Sequence, residues 1–512
     1  MSNQELIELD ENGNQIESRN VHISEVESGT DPDDPRNEYS KTHEGPEDND
    51  GENRHPKKEE RSSKNDVIIS IVKSCVGCGI LNMPITVQAF GVIPSIFIFG
   101  FGALLTAFSV RLMMKVKDST QRYGYSMYAK LSFGTVGTIG MKLCIITKCL
   151  GTCCVLLRTF GGVCGEIVSS VLVADDSFYF QQNFYCLVIF LVLAPLMFMD
   201  DISGLKKFSF LGVLCVFSFV ICIFIKYFVK AIQEKSLLFT SEMMYPIDIH
   251  DYSSLFQKLT SLINSFYFHM NIFPFYLPLH PRKSHTMFSA ASIASIIVGL
   301  LYYFVGMSAY ALYKKNLQSS ILPNLKTDLQ GLLQIKNKSG LDYFLIVVTF
   351  FGMCTFFISA LLSTPLIFFS LKKNLINLIR MIKNKITETK TNDENSMTNT
   401  MDKKDLEDMA NTKAVLESES AFPKFVITAL AYVSVLICTL NVNQIIVINS
   451  IAGSTVGNLI STVCPGMFCL ILCKDKKCSF TKNLATFYVV FGVIILSLFI
   501  KINIFDAFFL KK

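Results

Sequence analysis

Several apolar runs in this chain are each long enough to cross a lipid bilayer as a helix, and nothing else in the sequence limits the fold as strongly. The runs "LGVLCVFSFVICIFIKYFV" (211–229) and "FLIVVTFFGMCTFFISALLSTPLIFF" (344–369) reach the roughly 20 residues that span about 30 Å of hydrocarbon. Composition agrees with them. Half of the 512 residues are apolar, 17% are charged and the mean hydropathy is +0.40, whereas soluble domains carry about 25% charged residues. The chain therefore reads as an all-α, polytopic membrane protein. Its net charge of +5 is scattered through loops, which fits the anionic lipid leaflet as partner and not a nucleic acid.

Length and loop chemistry divide the chain into about eleven spans. They are expected at 66–90, 91–116, 136–173, 183–200, 208–231, 255–278, 287–313, 341–371, 423–440, 442–473 and 483–506. The third is long enough to enter through an interfacial piece. Residues 1–65 are rich in Glu, Asp, Asn, Ser and Gly and read as a disordered cytoplasmic tail, with no hydrophobic signal segment ahead of the first span. A polar insert at about 372–422 reads the same way, inside a transporter domain of 66–506.

Lys and Arg in the short loops set the orientation. With a cytoplasmic N-terminus, Arg111, Lys115, Lys117, Arg122, Lys206, Lys207, Arg282, Lys283, Lys372, Lys373, Lys474, Lys476 and Lys477 all fall inside. Lys226 and Lys230, and Lys314 and Lys315, dissent near the starts of two outer loops. An odd number of spans leaves the C-terminus outside, with Asn337-Lys338-Ser339 as an outward sequon. Most of the sixteen cysteines lie within apolar runs as small buried hydrophobes. Cys75-x-x-Cys78 has redox or metal spacing but lacks the two further ligands zinc requires, and no cofactor is expected.

The first span carries an anomaly, "KSCVGCGILNMP" (73–84), with a lysine, two glycines and a proline inside an apolar run. Irregular backbone at membrane depth survives only when buried in protein or lining a wet cavity. Gly77 and Gly79 make departure from helical geometry cheap, and Pro84 cannot donate an amide hydrogen. A broken helix is expected, its amides facing an anion and its carbonyls a cation or amine. A simple kink packed on small residues is the alternative. Span six has a matching interruption, "NSFYFHMNIFPFYLPLH" (264–280), five spans later, as inverted five-helix repeats would place it.

Several motifs in order carry a family resemblance. "VGCGILNMPITVQAFG", "APLMFMDDISGLKKFSFLG", "FHMNIFPFY", "LLSTPLIFFSLKKNL" and "NSIAGSTVGNLISTVCPGMFCLIL" are similar to those of the amino acid/auxin permease family, although His269 here follows Phe268 directly. The resemblance covers about 66 to 505. It implies a LeuT-like fold of two inverted five-helix repeats plus one extra helix, alternating access, and amino acids moved by an ion gradient or by their own. Lys73 stands where the sodium-coupled branch carries an asparagine, and the proton-assisted branch resembles this chain. A tethered ammonium there takes the place of a bound cation, or else it snorkels to the interface near Asp66. Ser363, with Thr364 beside it, falls where the sodium branch has a hydroxyl ligand, which keeps a sodium-coupled symporter open.

On this reading Gly77, Cys78, Gly79 and Ile80 hold the substrate's α-carboxylate and amine through backbone groups. Phe268, His269 and Asn271 form the opposing wall, and Ser363 is the span-eight contact. Glu166 is the deepest carboxylate and a candidate proton carrier, since burial favours its protonated form, or an outer-end residue that meets water. His269 is a second proton candidate or a hydrogen-bonded structural histidine. Arg158 lies about 12 Å from Glu166 along the helix, so each needs another partner. Lys142 and Lys148 read as snorkelling or interfacial.

The scarcity of deep acids favours a neutral substrate. The expected partners are thus an amino acid, a proton or sodium ion, and lipid, at the plasma membrane or the membrane of an acidic organelle such as a vacuole. A transport-deficient amino-acid sensor of the same fold is the second reading. An enzyme lacks its ligand-spaced clusters or a nucleophile with a base, and a channel its charged rings.

Overall fold

The structure, a computed structural model, describes residues 62–172, 182–199, 209–236, 238–245, 251–391, 421–441, 451–473 and 479–502. Among them every extended element is a helix, as the apolar runs require, and the one β contact is an isolated bridge between Ser62 and Leu279. Eight helices are long and apolar enough to cross a membrane, and the bent pair Lys64–Cys75 and Gly79–Phe90 makes a ninth. The 17-residue helix Gln182–Phe198 and the interrupted segment from Tyr252 to Tyr276 take the fourth and sixth places. Every place in the expected series is occupied.

Two departures have local causes, and a third has a remote one. Span three is one helix, Tyr125–Leu172, in which Gly134 (φ 64°, ψ −152°) separates a short entry piece from the membrane run. Only glycine adopts that conformation cheaply. Span eight is the helix Gly340–Thr391, which runs on through the first part of the insert expected at 372–422. Leu375, Ile376, Leu378, Ile379 and Ile382 recur there at helical spacing, and Ile376 and Leu378 are buried. Lys372, expected in a loop, is buried and donates from Nζ to the carbonyl of Met199 just past the end of span four (2.8 Å). Residues 1–61 and 392–420 lie outside the described residues.

Two of the four dissenting outer lysines lie within an α-helix. Lys226 and Lys230 belong to span five, Ser209–Gln233. Lys226 is buried and paired with Asp328 at 2.6 Å, and the Tyr313 hydroxyl donates to the same carboxylate oxygen at 2.7 Å. Lys230 donates to the Leu312 carbonyl at 3.0 Å. A compensated cation inside a bundle carries little weight in the loop-charge rule. Asp328 comes from an amphipathic helix, Ile321–Gln334, in the connection between spans seven and eight.

Span seven, Ser284–Tyr313, is the central post. It packs against span two (Val92–Thr120), both halves of span one, and span five. Its small residues Ala290, Ala291, Ala294, Gly299 and Gly306 are why neighbours come so close. A Cβ on Gly306 would lie 2.9 Å from the Met83 carbonyl oxygen. The backbone around Ser62 adds a second tie. Ser62 donates to the Pro278 carbonyl (2.8 Å) and accepts from the His280 amide (2.9 Å), fastening the entry to span one to the far end of span six.

Candidate functional site: two interrupted helices

Span one breaks where its glycines and proline place the break. Its first half opens with a capping box, Ser63 and Asp66 exchanging side-chain to backbone bonds, and ends at Cys75. The chain turns through Val76 and Gly77, tightens into a 3₁₀ turn over Cys78–Asn82, and restarts as Met83–Phe90 with Pro84 in its first turn. The two halves meet at 56°. Span six does likewise: Tyr252–Ser265, a gap through Phe266 to Phe268, a 3₁₀ turn His269–Asn271, and the short helix Ile272–Tyr276. A simple kink is excluded at both places, because helix type and hydrogen-bond ladder change.

The breaks touch each other. A Cβ on Gly79 would fall 2.3 Å from the Ser265 hydroxyl oxygen, so only glycine allows this approach. A Cβ on Gly77 would meet nothing within 4 Å, so that side of the break is open. Asn271 donates from its side-chain amide to the Ser74 hydroxyl at 2.8 Å, and the Cys75 thiol to the Phe266 carbonyl at 3.5 Å. Of the expected site residues, Gly79 and Asn271 are thereby brought against the facing segment. Cys78 contributes backbone to the first break, and its side chain lies outside the described residues.

His269 is 2% exposed, with both ring nitrogens lacking a hydrogen-bond partner in the protein, and it stacks on Phe268 (5.6 Å between centroids, 28°). It is therefore not the hydrogen-bonded structural histidine of the alternative reading. The buried Tyr267 hydroxyl and both polar atoms of the buried Asn82 side chain also have no partner. Groups of this kind cost about 1–3 kcal/mol each when left unsatisfied in a protein interior. Others lie elsewhere in the bundle, among them Ser95, Ser308 and Asn458, and those within the two breaks are His269, Tyr267 and Asn82.

Lys73 does not snorkel: its Nζ is buried without a hydrogen-bond partner. It lines a small hollow with Gly212 of span five and Ser359 and Ser363 of span eight. Ser359 donates to the Gly212 carbonyl (2.9 Å) and Ser363 to the Ser359 carbonyl (3.0 Å), which leaves both oxygens able to accept from an ammonium. Thr364 is buried and bonded to its own helix at the Ala360 carbonyl (3.0 Å). Residues of break six do not line this hollow. Ser363 thus lies with Lys73 around this hollow.

Lys148 corrects the interfacial reading. It is 4% exposed, donates to Asn264 Oδ1 in span six, and sits 4.5 Å from the centre of the Tyr267 ring. Span ten meets the same asparagine: its first turns are π-helical, Gly453–Gly457 and Leu459–Val463, and a Cβ on Gly453 would lie 2.8 Å from Asn264 Cβ. Such turns recur at functional sites. Arg158 finds its partner in span four, donating to Asn183 Oδ1. The Glu166 side chain lies outside the described residues.

Comparison with known proteins identifies the family. The family model described as transmembrane amino acid transporter protein matches residues 60–505. Amino acid transporter AVT6E of Arabidopsis thaliana is 24% identical over 323 residues, covering 61% of this chain and 62% of the relative. The chain's match thus spans about three fifths of that protein's length. Vacuolar amino acid transporter 5 of Saccharomyces cerevisiae is 21% identical over 457 residues, covering 85% and 94%. Among solved structures, MhsT in complex with L-phenylalanine superposes with a TM-score of 0.47 at 13% identity, over 86% of this chain and 98% of that one. With the family match running from the entry of span one to the end of span eleven, this chain belongs to the transmembrane amino acid transporter family.

Proposed function

We propose that the protein is a permease for neutral amino acids that works by alternating access and needs no sodium ion. One observation carries this reading most directly. Two interrupted helices meet inside the bundle, and His269, Tyr267 and Asn82, which are among the buried polar groups without protein partners, are carried on those segments. The turn at Gly77 to Ile80 has amides for a substrate α-carboxylate, and the open side of Gly77 admits it. Phe268, His269 and Asn271 form the facing wall. Lys73 holds a positive charge against Ser359 and Ser363, where a bound cation would otherwise bridge spans one and eight. Lys73 and Lys148 disfavour a cationic substrate side chain.

Proton movement down an acid gradient is the coupling this arrangement suits. The yeast relative is named a vacuolar transporter, and we place this chain in the membrane of an acidic organelle by analogy with it. The test is uptake of a labelled amino acid mixture into proteoliposomes under imposed pH or sodium gradients. Acid-driven uptake of neutral amino acids without sodium is the expected result. Strict sodium dependence overturns the role given to Lys73, and absence of any uptake overturns the permease reading.

A further inference from the structure

Tyr302 of span seven is fully buried (0% exposed), and in sequence it is one more aromatic in an apolar helix. Its hydroxyl lies 2.7 Å from the carbonyl oxygen of Cys75 and 3.1 Å from that of Ser265. Those two residues have a common place in the fold: Cys75 ends the first half of span one and Ser265 ends the first half of span six. Carbonyls at a helix C-terminus lack the amide of a following turn and carry the negative end of the helix dipole; that of Cys75 also accepts from the Gly77 amide at 2.9 Å, which leaves one lone pair for a further donor. Two such ends turned toward one point, in a low dielectric, create a place that favours positive charge. Carbonyl ends of broken helices serve transporters as cation ligands for this reason. Here the point is filled by a phenol, which has a single proton to offer two acceptors. The Tyr302 ring is held edge-on against Phe266 (5.5 Å, 77°), so the hydroxyl has little freedom to leave.

We propose that the Tyr302 hydroxyl occupies, between the two half-helix ends, the position a coupling cation would otherwise take, and so makes transport independent of an ion there. This place is separate from the Lys73 hollow. Neither Tyr302 nor Ser265 lines that hollow, although the neighbouring Leu301 does. Tyr302 acts as a positioning residue: it sets the spacing of the two carbonyl ends and determines ion selectivity without touching substrate. A phenol also ties the two interrupted segments to span seven, so that their separation breaks a hydrogen bond instead of releasing an ion.

The proposal rests on the permease reading only for uptake, so the test has an arm that needs no substrate. Wild type, Tyr302→Ser, Tyr302→Asn and Tyr302→Phe are purified, and their melting is followed in sodium chloride and in choline chloride at equal ionic strength. The small variants open the ring's volume while keeping an oxygen ligand beside the two carbonyls. At least one of them should melt several degrees higher in sodium than in choline, by a margin wild type lacks, because a ion that binds only the folded state stabilises it. The asparagine variant keeps the test alive if the serine variant does not fold. Tyr302→Phe removes the donor but not the ring, and should lower proteoliposome uptake roughly tenfold, the equivalent of one buried hydrogen bond. Folded small variants that respond to sodium no differently from wild type overturn the proposal, as does a phenylalanine variant that transports like wild type. Absence of uptake in wild type condemns the permease reading alone and leaves the melting arm to decide the role of Tyr302.

Discussion

Lys73 and Lys148 are both lysines within apolar helices, and the protein treats them in opposite ways. Lys148 is given an amide oxygen from Asn264 and the face of Tyr267. Lys73 is aimed into a hollow, its Nζ buried without a hydrogen-bond partner. The two glycines of break one divide in the same manner: Gly79 is pressed against Ser265 and Gly77 faces open space. Groups whose neighbours are supplied by the fold hold the breaks in place. Groups left facing space are the ones that the proposed permease function leaves to substrate and coupling.

Lys148→Met puts that contrast under the greatest strain. Losing a charge-assisted bond to Asn264 should cost about 2–3 kcal/mol, seen as a lower melting temperature in detergent. A variant that melts with wild type would break the comparison at its first term. Gly79→Ala comes next, at about 1–3 kcal/mol, because the new methyl overlaps the Ser265 hydroxyl and one break must shift. Gly77→Ala should leave melting unchanged while raising the KM for uptake, and equal melting of the two alanine variants would erase the distinction between them.

Asn271→Ala should cost about 1 kcal/mol, the net worth of its bond to Ser74. Lys73→Met should have the smallest effect on melting, within about 0.5 kcal/mol of wild type or above it, since no protein hydrogen bond to Nζ is lost. Its signature is functional: uptake that no longer responds to an inward acid gradient. Retained acid stimulation would transfer the coupling role away from Lys73.

The breaks were legible in the sequence because their causes are local. Glycine, proline and polar residues inside an apolar run change the backbone where they stand. What holds the breaks was not legible, because it is remote in sequence. Lys148 and Asn264 are 116 residues apart, and Tyr302 is 227 from Cys75. A lysine near a helix end has the same pattern whether it snorkels or is buried, and a tyrosine among aliphatics looks like packing until its hydroxyl is placed. Lys226 and Lys230 show the same limit: loop-charge counting assumes solvent, and Asp328 removes at least Lys226 from it. Span eight outran its expected end because polar residues and the apolar stripe of 375–382 alternate, and composition averages the stripe away.

The short bridge at Ser62 has a mechanical consequence. Its two backbone bonds reach residues 278 and 280, just beyond the last turn of the sixth segment, while its own chain continues within two residues into the first. Both discontinuous elements therefore share one anchorage at that end of the bundle. A pull on the polypeptide ahead of residue 62 loads them together, like a cord knotted to both leaves of a door.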